Sequence, residues 1–357
     1  MDDLKLNVPL LRKRVPSLTS AARSVGLRPA TVSNLCTGKI PLGRAEVRTL
    51  AALATLAECS LDELVIRGNE GEMIETGIKT LDLFSPLTLG GTIGFVARPG
   101  MGQLVVLAEV FHRLKEKGYS TVVLMPNAEG EGISDITETA EIVCSSIEEA
   151  FEEISAVGQK KEVMLAADRS TVLTGEIYEL QDRLQEANIT SVTTFLVDPR
   201  GEAVDEIEPY GPLDTLLQFD AEMISRRLYP AVNPIQSTST VLEGAYVDST
   251  HMTIQQRARK VMRRYRELRF LVDAYGIDRM PDADVQIFNR GQRLEAYLTQ
   301  PFYVAEEFTK MKGVSVPLQD TLNDVRRILD GAADGLEVNT LMWSGTLDEI
   351  LAKPKKN

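Results

Sequence analysis

The chain is poor in the residues that metal centres and catalytic triads need. Among its 357 residues there are two histidines, His112 and His251, and three cysteines, Cys36, Cys59 and Cys144. So few histidines argue against a histidine-based metal site or triad. The cysteines stand far apart with no CxxC pair, which argues against a zinc site or disulfide framework and fits a reducing cytoplasm. No run of about eighteen apolar residues occurs, so no transmembrane helix and no membrane insertion are expected. The opening MDDLKLNVPLL starts with two acids and lacks a long apolar stretch, so it does not read as a secretory leader. These absences predict a cytoplasmic protein. The length suits two or three domains, each with its own core.

The charge is unevenly spread. Residues 1–48 hold nine basic and three acidic residues, a net of +6, so the remainder of this −13 chain carries −19. A basic head on an acidic body suggests a nucleic-acid contact at one end. The hydrophobic pattern divides the chain into three segments. Residues 1–69 read as short helices. Residues 70–264 alternate strand-like runs (Thr92–Ala97, Thr121–Met125, Glu141–Cys144, Val163–Ala167, Thr193–Val197) with amphipathic helices such as Leu104–Lys117 and Glu176–Glu186. Such alternation predicts a mostly parallel sheet covered on both faces. Residues 265–357 read as helical and end in the basic tail Lys353–Asn357. The expected fold is therefore multidomain, α followed by α/β followed by α.

Residues 17–39, SLTSAARSVGLRPATVSNLCTGK, carry a compact signal. Ser17 or Thr19 is placed to cap a helix running to about Val25. Gly26 supplies a tight turn, Pro29 suits the first position of a second helix over Ala30–Cys36, and Gly38 ends it. Ala21, Ala22, Val25, Val32 and Leu35 fall where two such helices would pack. An amphipathic helix over Arg44–Ala57 and a capped SLDEL at Ser60–Leu64 follow. The segment resembles the helix-turn-helix domain of phage-repressor-type regulators. That resemblance implies that the second helix enters the major groove of duplex DNA. Arg28, Thr31, Ser33 and Asn34 would face bases, and Lys39, Arg44 and Arg12 would meet phosphates. The same fold also serves as a protein-docking module, and that alternative stays open.

Residues 90–114, GGTIGFVARPGMGQLVVLAEVFHRL, place a strand, a glycine-containing loop and a helix in succession. This is the context of a phosphate-binding loop, GxxxxGK[ST]. The corresponding positions read Ala97, Arg98, Pro99, Gly100, Met101, Gly102, Gln103 and Leu104. Together with ETGIKTLDLFSPLTLGG before it and YPAVNPIQSTSTVLE, AYLTQPFYVAEEFT and MWSGTLDEIL after it, the region resembles the catalytic beta subunit of the rotary ATP synthase over about residues 70–350. That resemblance implies a RecA-like P-loop α/β core, a C-terminal helical domain, and ATP or ADP as ligand. The family's N-terminal β-barrel is absent, and the helix-turn-helix-like segment stands in its place.

Carried over residue by residue, most of the family's chemistry is missing. Its phosphate-gripping lysine aligns with Gln103, and its magnesium-binding threonine with Leu104. Pro99 lacks an N–H. The catalytic glutamate falls in MPNAEGEG, at Ala128 without a gap or at Glu129 with a one-residue shift. What remains is Asp168, ending the apolar run VMLAAD, and the aromatics Tyr229, Phe302 and Phe308 that match an adenine pocket. Asp168 reads either as a magnesium ligand through water or as a solvated strand end. The aromatics either stack on a base or fill core. In the loop that meets the rotary shaft in this family, Asp278, Asp282 and Asp284 keep some acidity, while Arg279 and Pro281 depart from the pattern.

Phosphoryl transfer depends on positioning and neutralising the phosphates, and with these losses no meaningful ATPase activity is expected. The sequence thus points to a DNA-binding transcriptional regulator built on a catalytically dead core that forms homo-oligomers or senses a ligand. Two alternatives stand beside it. One is a pseudo-subunit or adaptor of an ATP synthase-like complex. The other is a weak, atypical ATPase in which Arg98 replaces the lysine, since arginine also grips phosphate.

Overall fold

The computed structural model describes residues 4–352 apart from 16–17, 37–39, 41, 68–71, 126–131, 190–191, 207–208 and 243–246. The first unit is closed by two short strands, β1 (Leu4–Leu6) and β2 (Val65–Arg67), paired antiparallel with Leu4 opposite Arg67. Three residues each are too few to show alternation, and the sequence pattern did not reveal them. Between them run the helices Val8–Arg14, Leu18–Ala21 with its 3-10 continuation Ala22–Val25, Pro29–Cys36, Val47–Leu56 and Leu61–Leu64. Gly26 takes the left-handed conformation, φ +73°, that the tight turn requires. Pro29 opens the next helix as expected. Ser60 and Glu63 form a reciprocal capping box, in which the Ser60 hydroxyl accepts from the Glu63 N–H and the Glu63 carboxylate from the Ser60 N–H. The helix expected from Arg44 begins at Val47, after a 3-10 turn over Leu42–Arg44. Ala22, Val32 and Leu35 are buried with Leu11, Leu53 and Leu64 in this unit's own core. The cap expected at Ser17 lies outside the described residues.

The next strands, β3 (Met73–Ile74) and β4 (Leu87–Thr88), form a small antiparallel pair. They lead into a seven-stranded sheet of β5 (Thr92–Val96), β6 (Ser120–Leu124), β7 (Ile142–Cys144), β8 (Val163–Asp168), β9 (Val192–Val197), β10 (Thr215–Gln218) and β11 (Thr238–Ser239), in the order β11-β10-β5-β9-β8-β6-β7. Only β11 is antiparallel to its neighbour. The sequence anticipated the five strands β5–β9 and missed β10 and β11, which are short and flanked by polar residues. Because a strand alternates its side chains, each run feeds two cores. Ile93, Phe95, Val123, Met164, Ala166 and Phe195 enter one, against the Gln103–Glu116 helix. Val96, Val122, Leu124, Leu165, Ala167 and Leu196 enter the other, against the helices Ile147–Gly158 and Glu176–Glu186. Burial on both faces explains why these strands read as continuous apolar runs.

A single helix, Ser249–Tyr275, runs unbroken across the expected boundary at residue 264 and packs on Asp282–Tyr297 and Leu318–Asp330. Among the described residues no helix is long and apolar enough to cross a membrane.

The α/β layer and these helices are joined by buried polar groups. Arg113, on the helix after β5, forms an ion pair with Glu109 at 2.6 Å and donates to the carbonyls of Gly77 at 2.8 Å and Val314 at 2.7 Å. Glu109 in turn accepts from the Val304 N–H at 3.0 Å. Gln300 bridges Lys79 N–H with Gly77 and Val314 carbonyls. Lys79 is fully buried, and its Nζ meets the Tyr297 and Ser344 carbonyls above the Tyr297 ring. Burial pushes this ammonium down from 10.5 to about 7, against the raising pull of Asp324 and Glu349. A neutral amine keeps two N–H donors, and two carbonyls are what it meets.

Between pH 7 and 10.5 the unfolded chain therefore holds a proton that the folded chain has lost. Stability gains from rising pH in that window, by at most about 1.4 kcal/mol per pH unit. Urea unfolding of the wild-type protein and Lys79→Met should diverge in the wild type's favour between pH 7 and 9. Parallel pH profiles would show that Lys79 stays charged in the fold.

Candidate functional site

In parallel α/β sheets, ligands gather beyond the carboxyl ends of the strands. Here those ends carry the loop after β5, Asp168 after β8 and Asp198 after β9. The loop leaves the core at the buried Ala97, exposes Arg98, Pro99 and Gly100, and re-enters at Gln103 and Leu104, both buried. Gly100 and Gly102 are both left-handed, with φ +78° and +77°.

The loop is pinned from two sides. On one, a Cβ at Gly201 would sit 2.3 Å from Pro99 Cδ, so the segment after β9 lies directly against Pro99. Arg98 reaches across the same boundary to Asp205 at 3.2 Å. On the other side, the Tyr229 hydroxyl donates to the Gly102 carbonyl at 3.0 Å. Burial, then the Glu109 carboxylate, push the Tyr229 phenol up, so it stays protonated and able to donate. A Cβ at Gly102 would meet the Tyr229 ring at 2.9 Å. Tyr229 and Phe302 pack edge to face with centroids 5.1 Å apart. Of the three aromatics expected at an adenine pocket, these two come together at the first turn of the Gln103–Glu116 helix. Phe302 is 1% exposed and part of the core, whereas Phe308 is 92% exposed.

Leu104 packs into the core beside the backbone of Gly132, where an added Cβ would lie 3.3 Å from Leu104 Cβ. Leu104 thus offers no oxygen ligand at the first turn of the Gln103–Glu116 helix. Asp168 is buried, and one carboxylate oxygen accepts from the Ser170 N–H at 2.7 Å and from the Ser170 hydroxyl. It caps the helix Arg169–Thr174, a third role beside the two that the sequence left open. Asp198 binds the Arg200 and Ala203 N–H groups at 2.9 and 2.7 Å. Arg169, which sequence reading overlooked, is buried between Asp198, Glu202 and Glu206. An arginine directly after a strand-end aspartate, with three carboxylates downstream, was its only signal. The charges in this cluster are Arg98 and Arg169 against Asp168, Asp198, Glu202, Asp205 and Glu206. That balance repels a free polyphosphate. His112, half-buried, stacks its ring 5.5 Å from Tyr303. Ala128 and Glu129 lie outside the described residues.

In the N-terminal unit, Arg28 and Ser33 are exposed and Thr31 and Asn34 half-buried, all on or directly before the Pro29–Cys36 helix, and Arg44 is exposed at the end of the Leu42–Arg44 turn. Lys39 and the Arg12 side chain lie outside what the structure describes. No protein-family model matches the chain.

The pinned loop has a measurable consequence. Gly102→Ala forces both a strained φ and a clash with Tyr229, and should cost about 1–3 kcal/mol. Tyr229→Phe loses one hydrogen bond and should cost about 1 kcal/mol. Chemical denaturation checks both, and a neutral Gly102→Ala would mean that the loop is free to move.

Proposed function

We propose that this chain is a DNA-binding transcriptional regulator in which an ATP synthase beta-like core serves assembly and ligand sensing rather than catalysis. The observation that carries this reading is the left-handed Gly26 turn between two helices, with Arg28, Ser33 and Arg44 exposed on the basic end of an acidic chain. Helix-turn-helix units present their second helix in this manner to the major groove. A single half-site binds weakly, so the core would supply the homo-oligomer that specific binding needs.

The strand order, with β5 between β9 and β10 and the loop at its carboxyl end, supports a RecA-like ancestry for the middle of the chain. Phosphoryl transfer needs a cation on the phosphates and a placed metal. Gln103 and Leu104 supply neither, and the carboxylate-rich surroundings oppose an unaided triphosphate. Of the three aromatics, Phe302 fills core, which leaves the half-buried Tyr229 and the exposed Phe308 as rings on which the base of ATP or ADP can stack. The atypical ATPase reading asks Arg98 to hold phosphate, but that guanidinium is engaged by Asp205.

A second reading has its own support. The buried polar junction keeps the synthase-like α/β and helical parts together, as a pseudo-subunit of an ATP synthase-like complex would require. Co-purification with such partners and no retention on duplex DNA would favour it.

The regulator reading is tested by capturing sheared genomic duplex on the purified full chain at two salt concentrations. A short recurring site should be enriched, and Arg28→Ala with Asn34→Ala should weaken binding to it by about tenfold or more. Wild-type retention by this double variant, with its fold intact, would overturn the assignment.

A further inference from the structure

A strongly basic hollow lies outside the loop after β5 and the N-terminal unit. It opens along one face of the Ser249–Tyr275 helix, beside β11, with a volume of about 710 Å³. Cavities of about 300–1,000 Å³ are the size that small ligands occupy. Arg259, Lys260, Arg263 and Arg264 line it, with Glu267 as the one acidic residue among its described lining residues. Glu267 is already bound to Arg264, which also grips Asp284 at 2.9 Å. Three cations are left. Among the described residues no carboxylate pairs with Arg259, Lys260 or Arg263.

Like charges held together need a reason. Arg259 is fixed by donating to the Phe84 and Ser237 carbonyls at 3.0 and 3.1 Å, so it cannot swing away. Arg263 stands one helical turn on, four residues away, and burial and then this neighbouring charge lower the Arg259 pKa. Lys260 and Arg263 are exposed, and Arg263 neighbours both of the others on the helix surface, four residues after Arg259 and three after Lys260. Thr238 of β11 adds an exposed hydroxyl to the lining, while the Ser239 hydroxyl donates to the Pro86 carbonyl at 2.6 Å. This cluster sits in the part of the chain that carries the −19 balance, so its concentration of positive charge is local and not a general property of the surface.

We infer that this hollow is a binding site for a small polyanion carrying adjacent phosphate groups. Its size suits two or three phosphates spanning Arg259, Lys260 and Arg263, with a hydroxyl donor from the exposed Thr238. Charge-assisted hydrogen bonds from guanidinium and ammonium would hold the ligand, and binding it would relieve the repulsion between the two arginines. The inference is independent of the DNA-binding reading, which rests on the N-terminal unit.

The test is calorimetric titration of the full chain with inorganic tripolyphosphate, ATP and AMP. Tripolyphosphate has no base, so it reports this site without help from Tyr229 or Phe308. Tripolyphosphate and ATP should bind more tightly than AMP, and affinity should fall as salt rises. Lys260→Ala with Arg263→Ala should weaken tripolyphosphate binding by about tenfold for each lost charge-assisted contact. Arg263→Lys, which keeps the charge, should retain most of it, and Arg98→Ala and Arg28→Ala should leave it unchanged. Both substituted residues are exposed, so the fold should survive, as thermal unfolding will verify. No binding of tripolyphosphate would overturn the proposal, as would binding lost in Arg98→Ala but kept in the double variant. So would a double variant that lost affinity for duplex DNA alone, which would make the hollow a nucleic-acid surface instead.

Discussion

A guanidinium in a protein interior must find acceptors or forfeit several kcal/mol, and Arg113 finds them on both sides of a seam. Its Nε is paired with Glu109 on its own helix, while its remaining donors reach carbonyls at Gly77 and Val314. Gln300 repeats the same bridge with a neutral amide. These bonds fix the 300–316 stretch against the helix that follows β5. Once that stretch is fixed, Phe302 lies against Tyr229, and Tyr229 lies against Gly102. The shape of the loop after β5 therefore depends on this buried polar junction as well as on the loop's own glycines.

That dependence separates the form of the loop from the side chains that follow it. Glycines at positions 100 and 102 are still required, because the backbone is left-handed at both and Tyr229 leaves no room for a Cβ at the second. The side chains that would face phosphate are under no such constraint. Gln103 and Leu104 turn inward and are buried, and Asp168 and Asp198 spend their oxygens on backbone and hydroxyl donors nearby. The strand ends have become a self-satisfied network with Arg169 at its centre.

The sequence made some of this legible and hid the rest for identifiable reasons. Apolar runs such as Val163–Asp168 announced the interior strands because both of their faces are buried. Gly26, Pro29 and the Ser60–Glu63 box announced their own turns and caps, since each residue type is chosen for local backbone geometry. The pairing of β1 with β2 joins residues some sixty positions apart, and nothing in three residues specifies such a partner. The split among the aromatics was also hidden. Phe302 and Phe308 occupy one short motif, yet one is core and the other is exposed. Spacing alone does not tell which ring the Arg113 junction draws inward. The cap formed by Asp168 was invisible for a similar reason, because a strand-end acid reads the same whether it serves a metal or a helix.

The proposed reading is that the α/β part of this chain is a relative of a nucleotide hydrolase without its reaction. Its most direct test is the steady-state release of phosphate from ATP by the purified full chain, with magnesium present and then removed by chelation. The account predicts a rate indistinguishable from protein-free buffer in both conditions. Magnesium-dependent turnover on the order of one per second would contradict it, since that lies within the ordinary range of enzymes.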